Sequence, residues 1–232
     1  MISVCLATYN GDKYIKEQLE SILIQLSEED EVIVSDDNST DATVDVIKEF
    51  NDSRISLVYN EGERGFTSNF ENAINHSRGD IIFLSDQDDV WIDDKVTLMK
   101  QALKKSYLVV SDAEVVDASL NTIHSSHFET YHIKQGFVSN FIKTRYIGAC
   151  MAFKREILKK VMPFPQRHEL CQHDWWITLV SEYYYNVSLI NKPLIKYRRH
   201  DDNVLQGGKK STNTFSQKIK IRLYSFLELI KR

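Results

Sequence analysis

The 232-residue sequence predicts an α/β fold in which helices flank a mostly parallel, Rossmann-like central sheet. Short apolar, β-branched runs alternate with amphipathic segments of helical period over the first hundred residues. Unusually polar loops follow these runs, always at the same end. Such alternation gives parallel strands joined by right-handed crossovers. The polar loops are therefore expected together at one edge of the sheet, where ligands bind in folds of this kind.

The elements follow from these patterns in order. In the first half, strands are predicted at 2–7, 31–37, 54–60 and 80–86, and helices at 13–26, 39–50, 67–79 and 93–105. The second half is less regular, with predicted strands at 107–117, 146–156 and 193–200, a polar loop at 118–135 and a helix at 173–185.

Composition excludes several classes of function. The formal net charge of -4 provides no basic field for nucleic acid. The three cysteines form no metal-binding or CxxC spacing, which indicates reduced thiols and a cytoplasmic protein. No apolar window approaches the roughly 18 residues of a membrane span, and the first residues do not resemble a signal peptide.

The stretch "FLSDQDDVW" ends the fourth predicted strand in three acids. In an extended segment Asp86 and Asp88 point to the same side, and two carboxylates at a sheet edge suit Mg²⁺ or Mn²⁺. A solvated acidic turn before the next helix is the alternative. The position at the end of a strand favours the metal.

Other motif families fit this stretch less well. An EF-hand loop from Asp86 needs Gly and Glu where the sequence has Trp91 and Thr97. "GGKKST" lacks the spacing of a P-loop. "FLSDQDDV" matches the DxDx[TV] motif of aspartate phosphohydrolases, although there the motif follows the first strand. Such a phosphohydrolase, with Asp86 as nucleophile, remains an alternative.

Two earlier loops carry candidate nucleotide ligands. Asp36 or Asp37, in "DDNST", could accept hydrogen bonds from ribose or base, as an acid does there in dinucleotide folds. Capping of the next helix is the other reading of these acids. Tyr9, in "TYNG", could stack on a base, or Asn10 and the following glycine could form a simple turn.

Six stretches together resemble the family 2 inverting glycosyltransferases, which have a GT-A fold, and especially the bacterial branch that builds polysaccharides and includes rhamnosyltransferase-like proteins. They are "VCLATYNGDKYIKEQLESI", "VSDDNSTDAT", "RGFTSNFENAI", "FLSDQDDVW", "HDWWITLV" and "KYRRHDDNV". The resemblance covers roughly residues 2–205. It implies a glycosyltransferase domain at 1–205, with a nucleotide-binding half at 1–105 and an acceptor-binding half at 106–205.

The resemblance also implies residue roles. Asp88 would bind a Mn²⁺ or Mg²⁺ ion that bridges the donor diphosphate, His200 would add a metal or phosphate contact, and Asp174 would be the catalytic base. Residues expected around the nucleotide and donor sugar are Thr8, Tyr9, Asn10, Asp36, Asp37, Arg64, Asp86 and Gln87.

The acceptor side is expected to involve Asp89, His173, Trp175 and Trp176. The acidic pair common at the base position is His173-Asp174 here, so His173 could orient the acceptor. Asp174 could alternatively be an N-cap or a first-turn acid of the helix that follows. Trp175 and Trp176 could stack on sugar faces, or one or both could belong to the core. A split between the two is expected, because adjacent residues cannot share one helical face.

The predicted activity is metal-dependent, inverting transfer from a UDP- or dTDP-sugar to a hydroxyl of a glycan acceptor in bacterial surface polysaccharide synthesis. The acceptor could be carried on a lipid diphosphate. A non-catalytic nucleotide-sugar binder is a further alternative.

Residues 206–232 are predicted to include a basic amphipathic helix. Its apolar stripe comprises Phe215, Ile219, Leu223, Phe226 and Ile230. The helix could dock on its own domain or on a partner. Alternatively, residues 211–232 could lie on an anionic membrane, at the inner face of the plasma membrane.

Overall fold

The structure is a computed structural model that describes residues 1–143, 145–200 and 214–232. The strands are β1 Ile2–Thr8, β2 Glu31–Asp36, β3 Ile55–Tyr59, β4 Ile81–Asp86, β5 Val90–Trp91, β6 Leu108–Val116, β7 Thr122–His124, β8 Met151–Lys154 and β9 Val187–Arg198. The α-helices are α1 Ile15–Leu23, α2 Thr43–Glu49, α3 Phe66–His76, α4 Lys95–Leu103, α5 His127–Tyr131, α6 Phe137–Lys143, α7 Leu158–Val161, α8 His173–Tyr184 and α9 Phe215–Ile230.

The predicted α/β fold is confirmed. Within the described ranges the strands form one sheet of order β3-β2-β1-β4-β8-β6-β9-β5, and β7 pairs with β6. β1 pairs in parallel with β2 and β4, and β2 with β3. The four alternating strand–helix pairs of the first half are present, with ends shortened by a few residues. β4 joins the second half through antiparallel pairing with β8.

The second half departs from the predictions in three places. The predicted strand 146–156 is a 3-10 turn, Gly148–Cys150, followed by the short β8. The predicted loop 118–135 contains β7 and α5, and the last strand begins at Val187 rather than 193. Long-range contacts order this loop, since the buried Asp112 accepts hydrogen bonds from Ser126 Oγ at 2.5 Å and Phe128 N at 2.8 Å. Local sequence carries no signal of that contact.

The three cysteines are separate, free and buried. Burial raises the pKa of Cys5, Cys150 and Cys171 to about 12. They therefore remain thiols at neutral pH and pack as small apolar side chains.

The C-terminal helix α9 docks on its own domain, but not through the predicted stripe. Ser225 and Leu229 face inward and are buried. Arg167 N donates to Tyr224 Oη at 3.1 Å, and Arg232 Nη1 donates to the carbonyl of Met162 at 3.0 Å. A serine lies at the centre of the docked face, so a search for large apolar residues could not find that face.

The predicted stripe points outward. Its five residues are exposed, from 42% for Phe226 to 79% for Phe215. The predicted boundary at residues 205 and 206, and the first residues of the predicted tail, lie outside the described residues. Across the ranges that are described, no helix has the length and apolar character needed to cross a bilayer.

Candidate active site

Loops from both halves of the chain meet at the carboxyl edge of the parallel strands. The loops after β1, β2 and β4 are neighbours because those strands pair in parallel. The end of β9 reaches the same edge, where His200 contacts Asp88. The N-terminal turn of α8 lies near this edge too, because His173 N donates to Thr67 Oγ1 at 3.3 Å at the start of α3, which follows the loop after β3.

Asp88 and His200 form a close pair at this edge. The Nε2 of His200 lies 2.8 Å from Oδ2 of Asp88, and both side chains are largely buried. The ring of Tyr14 stacks on His200 with centroids 4.9 Å apart. Arg198 Nε donates to the carbonyl of Asp88 at 2.6 Å. These contacts from α1 and β9 hold the pair in place.

Asp88 and His200 suit a divalent ion and would supply some, but not all, of its ligands. Carboxylate oxygen and imidazole nitrogen both suit Mn²⁺, and the carboxylate suits Mg²⁺. In the part of the chain that the structure describes, no three His, Cys, Asp or Glu side chains gather as a complete metal site. Ions of this kind are commonly held by one or two carboxylates and completed by substrate phosphates.

The acids of the DxD stretch crowd one another. Burial raises the pKa of Asp86 to about 7, with further contributions from the charges of Asp88 and Asp174. Burial also raises the pKa of Asp89 well above its usual range, helped by the charges of Asp88 and Asp86. An added cation would relieve this repulsion.

Lys95 is a member of the site that the sequence analysis missed. It is fully buried at the start of α4, where its Nζ donates to the carbonyl of Ala149 at 2.8 Å. Burial lowers the pKa of Lys95 to about 8, against the charges of Cys150, Asp89 and Asp86. The sequence does contain a signal for this burial. Lys95 lies four residues before the buried Met99, and residues four apart lie on the same face of a helix.

Gln87 ties the DxD stretch to the loop after β1. Its Oε1 accepts from Thr8 Oγ1 at 2.6 Å and from Tyr9 N at 2.8 Å, and its Nε2 donates to the carbonyl of Tyr9 at 3.0 Å. A Cβ on Gly11 would lie 2.3 Å from Gln87 Oε1, so a larger residue at position 11 would push the Gln87 amide out of these hydrogen bonds. Tyr9 itself is 46% exposed and available for stacking.

The two acids after β2 have structural partners. Asp36 accepts from Ser39 N at 2.9 Å and Ser39 Oγ at 2.5 Å. Asp37 accepts from Asn60 Nδ2 at 2.7 Å and Gly65 N at 2.8 Å, which joins it to the loop after β3. Carboxylates accept up to about four hydrogen bonds, so a nucleotide contact is compatible with these partners.

Asn10 and Arg64 complete the predicted nucleotide side. Asn10 has a φ of 47°, its N–H donates to Ser39 Oγ at 2.9 Å, and its Oδ1 accepts from Thr40 N at 2.8 Å. Asn10 therefore joins the loops after β1 and β2. Arg64 is exposed in the loop before α3, on the side that Asp37 reaches.

Asp174 lies in the first turn of α8 and does not serve as its N-cap, which is Gln172. Its Oδ1 accepts from Trp175 N at 2.6 Å. Burial raises the pKa of Asp174 to about 6, against the lowering effect of backbone N–H donors. A carboxylate with this pKa is mostly ionised at neutral pH, yet more basic than an exposed one.

Three of the four residues predicted on the acceptor side are buried and have structural partners. Burial leaves these side chains little surface for contact with an acceptor. Asp89 Oδ1 accepts from Arg198 N at 2.9 Å and so anchors β9. His173 stacks on Phe70 with centroids 4.2 Å apart, and burial lowers its pKa to about 3. Trp176 is fully buried, and its Nε1 donates to a carbonyl of α7 at 2.7 Å.

The expected split of the two tryptophans is confirmed in position, because Trp175 is only partly buried. The guanidinium of Arg222, from α9, lies 5.4 Å from the centre of its indole ring. Its Nε1 is buried without a partner among the described residues. Trp175 therefore links α9 to the turn that carries Asp174.

Comparisons with known proteins agree with this arrangement. Residues 3–162 match the family described as "Glycosyl transferase family 2". Among curated relatives, the dTDP-rhamnosyl transferase RfbG of Shigella flexneri is 29% identical over 85% of this chain and 72% of its own length. The UDP-Glc:alpha-D-GlcNAc-diphosphoundecaprenol beta-1,3-glucosyltransferase WfgD of Escherichia coli is 26% identical over 94% of this chain and 82% of its own length.

Solved structures show the same fold. S. aureus TarS 1-349 in complex with UDP-GlcNAc superposes with a TM-score of 0.75 at 18% identity, over 97% of this chain and 66% of that one. Mannosyltransferase PcManGT from Pyrobaculum calidifontis, in complex with GDP-Man and Mn2+, gives 0.67 at 20% identity, over 100% and 64%. The chain thus spans just under two thirds of these structures, which have the GT-A fold. The matched family, the relatives and the fold agree, and the chain belongs to glycosyl transferase family 2.

Proposed function

We propose that this glycosyltransferase is metal-dependent and inverting, and that it moves a sugar from a UDP- or dTDP-sugar to a hydroxyl of a glycan acceptor in bacterial surface polysaccharide synthesis. One observation carries the proposal. The Asp88–His200 pair lies at the carboxyl edge of the sheet, and the charge of Asp174, in the first turn of α8, contributes with that of Asp88 to the raised pKa of Asp86. This provides a place for a donor diphosphate and a separate base for an acceptor.

The residues divide the reaction between them. Asp174 accepts the proton of the acceptor hydroxyl. The acceptor oxygen then bonds to the anomeric carbon as the bond from that carbon to the diphosphate oxygen breaks. A single displacement inverts the anomeric centre and needs no enzyme nucleophile. A divalent ion held by Asp88 and His200 would supply Lewis-acid stabilisation of the leaving diphosphate.

The choice of donor rests on the relatives. RfbG is described as a dTDP-rhamnosyl transferase and WfgD as using UDP-Glc. The PcManGT structure contains GDP-Man and Mn2+, which supports use of a divalent ion. The family assignment opposes the aspartate-phosphohydrolase alternative.

A thermal-shift experiment tests the donor site. We expect UDP or dTDP to raise the unfolding midpoint when Mn²⁺ is present and to raise it much less with EDTA, because Asp88 would hold an ion that the diphosphate also needs for binding. The shift should disappear in Asp88→Asn. Equal shifts with and without Mn²⁺ would contradict metal-dependent donor binding.

We also propose that the protein works on a lipid-linked acceptor at the inner face of the plasma membrane, in contact with it through residues 211–232. WfgD is described as acting on a diphosphoundecaprenol-linked sugar. The outward stripe of α9 is flanked by Lys220 and Lys231, both exposed. An exposed apolar stripe beside basic residues is typical of helices that lie on anionic bilayers.

Vesicle sedimentation tests this contact. Leu223→Glu/Leu227→Glu places one charge on the exposed stripe and one on an exposed residue beside it, without touching the buried Ser225 and Leu229. We expect the double variant to lose most binding to phosphatidylglycerol vesicles. Ile24→Glu/Ile123→Glu, at exposed positions elsewhere, is the matched control and should sediment like the wild type. Equal sedimentation of all three proteins would refute the membrane contact.

A further inference from the structure

A concave site lies between the end of α5 and the end of α6. It is a cavity of about 380 Å³. That volume is within the range of small-molecule sites. Its lining includes four basic and two apolar side chains, which are His132, Lys134, Lys143, Arg145, Ile133 and Ile142.

The cavity is cationic. Of the described residues that line it, none is acidic. The acid next to it is Glu182, whose Oε1 accepts hydrogen bonds from Gly136 N at 3.1 Å, Asn140 Nδ2 at 3.1 Å and Tyr146 Oη at 2.9 Å. Glu182 is thus committed to holding the walls together. Several basic groups around one concavity suit a ligand with more than one negative charge.

Contacts through Tyr131 link the lining of the cavity to the segment that carries His200. The guanidinium of Arg145 donates to the carbonyl of Tyr131. Arg199 Nη2 donates to Tyr131 Oη at 3.1 Å, and its guanidinium lies 5.9 Å from the centre of the same ring. His200 follows Arg199 directly and contacts Asp88. Tyr131 therefore links Arg145, in the lining of the cavity, to Arg199, the residue before His200.

Another part of the lining connects to the turn that carries Asp174. The carbonyl of Ile142 accepts a hydrogen bond from Arg222, and Arg222 covers Trp175, the neighbour of Asp174. Arg222 thus links the cavity lining to the first turn of α8, which carries Asp174.

The rim of the cavity continues into an exposed apolar surface, which we call the α6/α9 surface. On α6 it includes Val138, 69% exposed, and Ile142, 62% exposed. Phe141 of α6 meets Phe226 of α9 edge to face, with centroids 6.2 Å apart. A cationic cavity that opens on an extended apolar surface suits a ligand with an anionic head and a hydrocarbon chain.

We propose that this cavity is an acceptor subsite that binds the diphosphate of an isoprenoid-linked acceptor, and that the isoprenoid chain leaves across the α6/α9 surface. The inference rests on the proposed function and specifies its acceptor. Lys134 and Lys143 contact the diphosphate, and Ile142 contacts the first part of the chain. The glycan end of the acceptor then extends toward Asp174.

Direct binding of farnesyl diphosphate tests the subsite. The protein is first saturated with UDP and Mn²⁺, so that the donor site is filled, and affinity is then measured by calorimetry. We expect Lys134→Ala/Lys143→Ala to weaken farnesyl diphosphate binding about tenfold or more, because two charge-assisted contacts are lost, and to leave UDP affinity unchanged. Both lysines are exposed, so the variant should fold. The matched control, Lys104→Ala/Lys105→Ala, removes two exposed lysines at the end of α4 and should bind like the wild type.

Two competitors separate the sources of the diphosphate chemistry. If the cavity recognises both the diphosphate and the isoprenoid chain, inorganic pyrophosphate should compete only weakly with farnesyl diphosphate. Farnesol, which lacks the diphosphate, should not bind. Unchanged affinity in the Lys134→Ala/Lys143→Ala variant overturns the inference. So does competition by phosphatidylglycerol vesicles as strong as that by farnesyl diphosphate, since the cavity would then be part of a general anionic-lipid surface. Failure to bind UDP would refute the proposed function instead.

Discussion

Replacement of Asp88 by Asn is expected to lower kcat/KM for sugar transfer about 10³-fold or more and to remove its dependence on Mn²⁺. The neutral amide is a poor ligand for a hard cation, and loss of the ion removes several kcal/mol of stabilisation from the departing diphosphate. The amide keeps the size of the side chain and can still meet His200 across the present 2.8 Å contact. Transfer from a radiolabelled donor, measured over a Mn²⁺ titration, checks this prediction.

Asp93→Asn is the matched control for this variant. Asp93 is exposed five residues further on, so its charge belongs to the same acidic stretch but not to the pair with His200. It should retain nearly full activity. If Asp88→Asn kept metal-dependent transfer, or if Asp93→Asn lost it equally, Asp88 would not be the metal ligand.

Asp174→Asn is expected to lower kcat by about 10²- to 10⁴-fold while leaving donor affinity unchanged. The carboxylate accepts a hydrogen bond from Trp175 N at 2.6 Å, and asparagine can accept the same bond. The variant therefore retains local structure and loses only basicity. Calorimetric titration with UDP and Mn²⁺ should give the same affinity as the wild type, and initial rates should reveal the loss.

The pH dependence of the wild type should report the same group. A base works in its ionised form, and burial raises the pKa of Asp174 to about 6. Activity should therefore be full well above pH 6 and fall about tenfold per unit below it. The residual activity of Asp174→Asn should lack this acidic limb. Full activity in Asp174→Asn, or an acidic limb that persists in it, would show that Asp174 only stabilises the start of α8.

Much of the first half of the fold was predictable because its signals are local. The apolar runs and helical periods gave β1 to β4 and α1 to α4 in order, and parallel pairing followed from the alternation. Predictions for the second half were wrong where contacts with residues far along the chain determine the local structure. The 118–135 segment is ordered by the buried Asp112, and β8 is shortened by the 3-10 turn before it.

The candidate site shows the same division. Residues that follow strands, such as Asp88, were found because their position along the chain places them at the sheet edge. The sequence analysis missed Lys95 because a lysine on a helix is normally exposed to solvent. Only the structure shows that its Nζ is buried and donates to the carbonyl of Ala149. His173, Trp176 and Asp89 were assigned to the acceptor because sequence proximity to a site does not reveal which way a side chain points.

The sequence alone determined the class of fold and the edge at which the chemistry is placed, because strand-and-helix periodicity is a property of neighbouring residues. The resemblance to family 2 glycosyltransferases supplied the candidate base Asp174 and the candidate metal contact His200. The tertiary structure alone decided which acids have structural partners, which face of α9 docks, and that a cationic cavity borders an apolar surface. Those features depend on contacts between segments far apart in the chain, such as Arg222 with Ile142, and on burial, which sets the pKa of Asp86 and Asp174.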